Sequence, residues 1–304
     1  MHDINYSHNH ELGEQNFSGC CKDCHTSVVI IKPYVMAFAA RIKHYTRKML
    51  ADLKPDELYR LYQILDDLAH MDAGIHLAGL IFEEPDINKV LPTIRSYYSA
   101  FFDIHEEYLA QELLKSGKPG ETLKAFPLYP RYETLIRNQV KARHITKNNR
   151  LVFIGCGAVP MSLILLSRLY GIRSIGLESS KKTAKLSTKV IKSLGLEKEI
   201  EIIQSDDLDL EKFDWDIALV AALAEPKARI FKSLSRILKK RENAFIIFRT
   251  YTGMRAVLYE PVQPADIKGL RIVKEILPTG MVNNTTVFAE LKNGEVTSSP
   301  FLNR

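Results

Sequence analysis

Three short stretches of this 304-residue chain carry residue types from which a nucleoside-bearing ligand could be held. The first is Gly155-Cys156-Gly157-Ala158-Val159-Pro160, set between the apolar run Leu151-Val152-Phe153-Ile154 and the helical pattern Met161-Ser162-Leu163-Ile164-Leu165-Leu166. Gly155 and Gly157 permit a tight strand-to-helix turn and a close approach of backbone to a ligand. About twenty residues further on, the next apolar run ends at Leu177-Glu178, where a carboxylate can accept hydrogen bonds from the two hydroxyls of a ribose. The third run, Ile200-Glu201-Ile202-Ile203, ends in Gln204-Ser205-Asp206-Asp207, so that Asp206 or Asp207 offers an acidic group to an adenine amino group. Position 160 is Pro160 rather than a third glycine, so the close helix packing of a Gly-x-Gly-x-x-Gly loop over a pyrophosphate is not encoded. S-adenosylmethionine fits this pattern better than a nicotinamide dinucleotide does.

These groups need a scaffold that brings successive strand ends together. After Lys147-Asn148-Asn149, apolar runs at 151–154, 174–177, 200–203, 217–221 and 244–248 alternate with helical stretches, which predicts a parallel sheet covered on both faces. Runs at 270–277 and 285–291 are expected to close it as an antiparallel edge pair, the sheet pattern of Rossmann-like methyltransferases. From about Val28 to Gln139 the pattern is helical, with Tyr34, Ala37, Phe38 and Ile42 on one stripe and a helix starting at Lys54-Pro55-Asp56-Glu57. A long helix is expected from Ile87 to Lys115, ended by Ser116-Gly117-Lys118-Pro119-Gly120, with a shorter one ending near Phe126. The expected division is a tail over 1–27, a helical domain over 28–147, a cofactor-binding domain over 148–292 and a second tail over 293–304.

At 46% hydrophobic and 26% charged residues the chain can bury a sizeable core. No apolar run approaches the roughly 18 residues of a membrane span, and the start, Met1-His2-Asp3, has no signal-peptide pattern, so a cytoplasmic protein is expected. The net charge of +6 is spread among acidic residues, which suits small anionic substrates and gives no concentrated nucleic-acid surface. Cys20, Cys21 and Cys24 beside His25 make half of a metal site, but no second Cys or His pair follows at zinc-finger distance, and the surrounding residues read as a flexible tail.

The segments Leu128-Tyr129-Pro130-Arg131-Tyr132, 154–162, Ala221-Ala222-Leu223-Ala224-Glu225-Pro226-Lys227 and 249–259, with Val282-Asn283-Asn284-Thr285, resemble the nicotianamine synthase family, its archaeal and bacterial members above all. The resemblance implies a helical N-terminal domain over a Rossmann-like domain. It implies transfer of the 3-amino-3-carboxypropyl (aminobutanoyl) group of S-adenosylmethionine to an amino group, with release of 5′-methylthioadenosine and formation of a metal-chelating metallophore or its precursor. It also implies that Glu106, in Ile104-His105-Glu106-Glu107, and Tyr132 handle the acceptor's proton, and that Ala222 joins the cofactor-binding set. Without it, Glu106 reads as a solvated helix residue and Tyr132 as a partly buried core tyrosine.

Arg249, at the end of the fifth strand, and Tyr251 are placed to bind a carboxylate, which a guanidinium can grip bidentately. Histidine, glutamate or an aminobutanoyl intermediate are the acceptors this reading admits, and a homodimer is compatible with it. Cyclisation of S-adenosylmethionine to azetidine-2-carboxylate, an ordinary methyl transfer, and a nucleic-acid-binding or metal-sensing protein are the competing readings.

Overall fold

A computed structural model describes residues 22–292. Among these described residues ten α-helices and seven strands order themselves so that helices fill the first half and strand-helix alternation the second. The helices α1 (Lys22–Ile42), α2 (Arg47–Ala51), α3 (Pro55–Ala69), α4 (Ile75–Glu83), α5 (Pro85–Lys115), α6 (Pro119–Lys124) and α7 (Tyr129–Arg143) come first. Helix α1 starts at Lys22, ahead of the expected Val28, and its buried stripe is Ile31, Val35, Phe38, Ala39 and Ile42. Tyr34 and Ala37, expected on that stripe, face outwards, because the spacing from Ile31 carries the inner face through 35 and 38 instead. Of the half metal site, Cys20 and Cys21 lie outside the described residues, while Cys24 and His25 fall within α1, with His25 exposed.

Helix α5 is the long spine of the helical layer. Glu84 caps it by accepting from the Asp86 and Ile87 N–H groups at 2.8 and 3.0 Å, and Pro85 opens its first turn, where a missing N–H costs nothing. Its buried face, Ile87, Leu91, Ile94, Tyr97, Tyr98, Phe101, His105 and Leu109, keeps helical spacing and sets Glu106 beside that face. Pro130 likewise opens α7, which puts Arg131 and Tyr132 in its first turn. Helix α4 was not separately expected, and it is too short and too uniformly apolar to show an amphipathic pattern.

The sheet runs β3-β2-β1-β4-β5-β7-β6, with β1 (Arg150–Ile154), β2 (Arg173–Glu178), β3 (Ile200–Gln204), β4 (Ile217–Val220) and β5 (Phe245–Thr250) parallel. Strand β7 (Thr285–Leu291) pairs antiparallel with both β5 and β6 (Leu270–Ile276). Alternation sorts each inner strand between two cores. Leu151, Phe153, Ile217, Leu219 and Ile247 point to the helical layer and to α8 (Met161–Tyr170). Val152, Ile154, Ala218, Val220 and Ile246 point to the other face, under α10 (Lys227–Leu238). Helix α9 (Lys181–Ser193) covers β2 and β3 and reaches α5 through a Lys182–Glu107 ion pair.

Polar bonds tie the helical layer to the far end of the sheet. Arg95 donates to the Ala256 carbonyl, Gln139 Nε2 donates to Thr286 Oγ1 at 3.0 Å, and Arg143 pairs with Glu290 at 2.7 Å. Among the described residues no helix is long and apolar enough to cross a membrane.

Candidate active site

The carboxyl ends of β1, β2, β4 and β5 open onto a cavity of about 310 Å³ roofed by α5 and α7, a volume within the roughly 300–1,000 Å³ typical of small-ligand sites. Its floor is the loop after β1. Gly155 and Gly157 adopt φ of 74° and 75°, the left-handed region that glycine enters freely. A Cβ at Gly155 would stand 2.9 Å from Ala224 Cβ, and one at Gly157 would run into Glu106 Oε2, so both positions also need the missing side chain for space. Cys156 is buried and packs where a Cβ on Gly176 would touch it, and burial pushes its thiol pKa up.

Glu178, at the end of β2, accepts from Gly157 N–H at 3.1 Å and from Ser180 N–H at 2.9 Å. One carboxylate thus fixes the glycine loop and the start of α9 together while still facing the cavity. The Ala221–Ala224 loop after β4 forms one wall. Lys227 holds it from behind: Nζ donates to the Ala222 carbonyl at 2.9 Å and to that of Ala224, and pairs with Glu225 at 3.4 Å.

Glu106 reaches down from α5 and accepts from Ala158 N–H at 3.2 Å. Burial pushes its carboxyl up to about 8, the Ala158 and Val159 N–H groups pull it down, and nearby Asp103 and Glu178 push it further up. Tyr132, one turn into α7, shares this space, and burial, then the charge of Glu106, raises its phenol above the ordinary value.

Opposite, Arg249 is 5% exposed, donates from Nη2 to Ser162 Oγ at 2.8 Å and to Gln139 Oε1 at 3.4 Å, and lies over the Phe153 ring. Burial pulls its pKa down to about 10, and among the described residues it pairs with no carboxylate. Tyr251 is buried against Tyr98, the two hydroxyls 3.2 Å apart.

Glu106, Tyr132, Gly155, Gly157, Glu178, Ala222, Arg249 and Tyr251 therefore meet on one cavity. Pro160 caps α8 beneath the loop instead of lining the cavity. Asp206 and Asp207, expected at an adenine amino group, are not part of the lining. Asp207 is fully buried and holds Ser233 Oγ at 2.7 Å and Arg229 at 2.8 Å, while Asp206 caps the 3₁₀ turn Asp207–Lys212 through Leu208 N–H. Both carboxylates are committed to local structure, which corrects that expectation.

The structure adds Arg131, Asp103, Ser162, Asn283 and Asn284 to the lining. The signal for Arg131 was its place in the first turn opened by Pro130. Its partner Asp66, on α3, carried no signal at all. Among the described residues no cluster of three or more His, Cys, Asp or Glu could hold a metal ion.

A family model described as nicotianamine synthase protein matches residues 36–296. Over 142 residues the chain is 25% identical to the L-histidine 2-aminobutanoyltransferase of Pseudomonas aeruginosa, covering 46% of this chain and 53% of that one. The chain thus spans about half the length of the first curated relatives it matches. Nicotianamine synthase 1 of Arabidopsis thaliana is 24% identical over 265 residues, 82% of this chain and 81% of its own. Among solved structures, MtNAS in complex with MTA and tNA superposes with a TM-score of 0.80 at 34% identity, covering 90% of this chain and 100% of that one. A mutant of MtNAS in complex with S-adenosylmethionine gives a TM-score of 0.78 at 34% identity, covering 90% and 99%.

Proposed function

The chain belongs to the nicotianamine synthase family, and from that membership we propose that it transfers the aminobutanoyl group of S-adenosylmethionine to the amino group of an amino acid. The observation that carries this reading is Glu106, half-buried and set against the glycine loop through the Ala158 N–H, in a cavity that also holds the buried Arg249 guanidinium with no carboxylate partner among the described residues; burial pushes the Glu106 carboxyl up to about 8. A methyl donor site needs the loop and Glu178. The base and the guanidinium together suit an amine nucleophile and a carboxylate-bearing electrophile.

S-adenosylmethionine, when bound, supplies a carbon already activated by the attached sulfonium, and 5′-methylthioadenosine as the leaving group. Glu178, whose two oxygens each accept one backbone hydrogen bond and can each accept another, would hold the ribose hydroxyls, and the backbone at Gly155 and Gly157 would let the nucleoside lie close. Arg249 and Tyr251 would receive the carboxylate of the transferred group. Glu106 would take the proton of the acceptor ammonium; the freed nitrogen pair then forms the N–C bond as the C–S pair withdraws to sulfur. Tyr132, whose raised pKa keeps it a protonated phenol, would donate a hydrogen bond that orients the reacting groups. The product carries amino and carboxylate groups in series, as a metal chelator or its precursor requires.

Mass spectrometry of the purified protein with S-adenosylmethionine and a panel of amino acids tests this. Methylthioadenosine together with an aminobutanoyl adduct of one acceptor is the expected result. S-adenosylhomocysteine would replace the proposal with methyl transfer, and methylthioadenosine with azetidine-2-carboxylate alone would replace it with cyclisation.

A further inference from the structure

The segment 277–284, between β6 and β7, brings Asn283 and Asn284 to the cavity. Asn283 is 2% exposed and its Oδ1 has no hydrogen-bond partner among the described residues, while Asn284 stands beside the Tyr251 hydroxyl. Native interiors rarely leave a buried amide oxygen unmet, so Asn283 marks a place where a bound ligand completes the hydrogen bonding. The backbone that presents these side chains leaves the strand ladder. It turns at Gly280, with φ of 54°, and closes through Val282 N–H to the Thr279 carbonyl at 3.1 Å, with Leu277 and Met281 exposed.

Arg255 holds this turn from outside the cavity. It sits in the 3₁₀ turn Gly253–Val257 that follows β5, and it donates from Nε to the Val282 carbonyl at 3.1 Å and from Nη2 to the Gly280 carbonyl at 3.4 Å. The planar guanidinium thus grips two carbonyls at a fixed separation, which the single ammonium of a lysine cannot reproduce. The 3₁₀ turn is itself pinned to the helical layer, because Arg95 of α5 donates from Nη2 to the Ala256 carbonyl at 3.0 Å. The helix that carries Glu106 therefore also sets Arg255 and, through it, the two asparagines. Asn283 Nδ2 ties the same segment to Asp66 at 2.8 Å, so loss of Arg255 would loosen the turn without freeing it.

Resting on the aminobutanoyl-transfer reading, we propose that Arg255 is a positioning residue: it fixes the turn at 279–282 so that Asn283 and Asn284 are held against the amino-acid end of bound S-adenosylmethionine. That end is singled out because Asn284 adjoins Tyr251, which in this reading receives the carboxylate of the transferred group together with Arg249. The nucleoside lies elsewhere, at Glu178 and the glycine loop.

The test compares S-adenosylmethionine with 5′-methylthioadenosine, which lacks the amino-acid end, by calorimetric titration of the full chain and of its Arg255→Lys and Arg255→Ala variants. Both variants should bind S-adenosylmethionine about tenfold more weakly, the scale of one lost hydrogen bond, and bind methylthioadenosine as the parent does. With histidine or glutamate as acceptor, kcat/KM for methylthioadenosine release should fall about 10²-fold, as misplacement of a reacting group predicts. Added guanidinium chloride, at millimolar concentrations that leave the fold intact, should restore part of that loss in the Ala variant and none in the Lys variant. Equal weakening of both ligands would make Arg255 a merely structural residue, and a Lys variant that binds and turns over like the parent would also overturn the proposal. The Lys variant, which keeps the charge, decides the matter if the Ala variant does not fold. A parent that releases no methylthioadenosine overturns the transfer reading, while the two binding titrations still decide the role of Arg255.

Discussion

Glu106 shows how one helix position becomes a base. An exposed glutamate ionises near 4.3 and is too weak to deprotonate an ammonium, whereas burial against the glycine loop pushes this one, on α5, up to about 8. Below that value it carries its own proton and cannot accept another, so kcat/KM should rise with pH through about 8 before levelling. Replacing Glu106 with Gln should lower kcat by about 10²–10⁴ and abolish that limb while S-adenosylmethionine still binds. Steady-state kinetics across pH checks this, and a limb that survives the substitution would assign it to the acceptor's amine. The same shift has a stability consequence of defined sign. Because the folded state holds this proton up to about 8 while the unfolded chain loses it near its ordinary value, Glu106 makes the fold less stable as pH climbs between the two. The Gln variant should flatten that part of a melting-temperature profile.

At the scale of the elements, the cavity is a product of strand ends and the loops that leave them. The loops after β1 and β4 lie against one another, and Gly155 and Ala224 meet where any larger residue at 155 would part them. Lys227, 7% exposed at the start of α10, keeps the second loop in place by donating to its carbonyls, even though burial, opposed by Glu225, lowers its pKa. The change Lys227→Met preserves the stem and deletes the donor, leaving inward carbonyls unmet at a cost of about 1–3 kcal/mol. Urea unfolding should report that loss, and kinetics should show a higher KM for S-adenosylmethionine with a smaller change in kcat. An unchanged KM would mean that the loop holds its shape without the lysine.

Across the whole molecule, the helical layer and the sheet close over the site through Asp66. This carboxylate on α3 joins Arg131 of α7, Asn283 of the loop before β7, and the Tyr62 hydroxyl at 2.9 Å. Burial by itself would raise its pKa, but the hydrogen bond and charge of Arg131 outweigh it and hold the carboxyl below its ordinary value. The stability from this pair is therefore complete above the ordinary carboxylate range and is lost as pH falls through the depressed folded-state value. Asp66→Ala leaves the half-buried Arg131 guanidinium without its carboxylate and should cost about 1–3 kcal/mol, read as a fall in the urea midpoint, with the remaining acid-unfolding transition less steep.

Much of this was legible in the amino-acid sequence because the relevant physics is local. Alternation of apolar runs specified the strands, the glycine pair specified a turn with positive φ, and Glu178 at the end of its strand could only project at the sheet's carboxyl edge. The family resemblance pointed to Glu106 and Tyr132, positions that composition alone would have left as a surface glutamate and a core tyrosine. What the sequence could not supply were relations between distant positions. Asp206 and Asp207 stand at a strand end where a ligand group was expected, yet the packing of α10 turned Asp207 onto Ser233 and Arg229. Arg131 became half of a half-buried pair because the fold sets Asp66 of α3 against it across 65 residues of chain. Local pattern therefore determined the elements and the nucleoside cradle, while long-range packing decided which charges are paired and which remain for ligands.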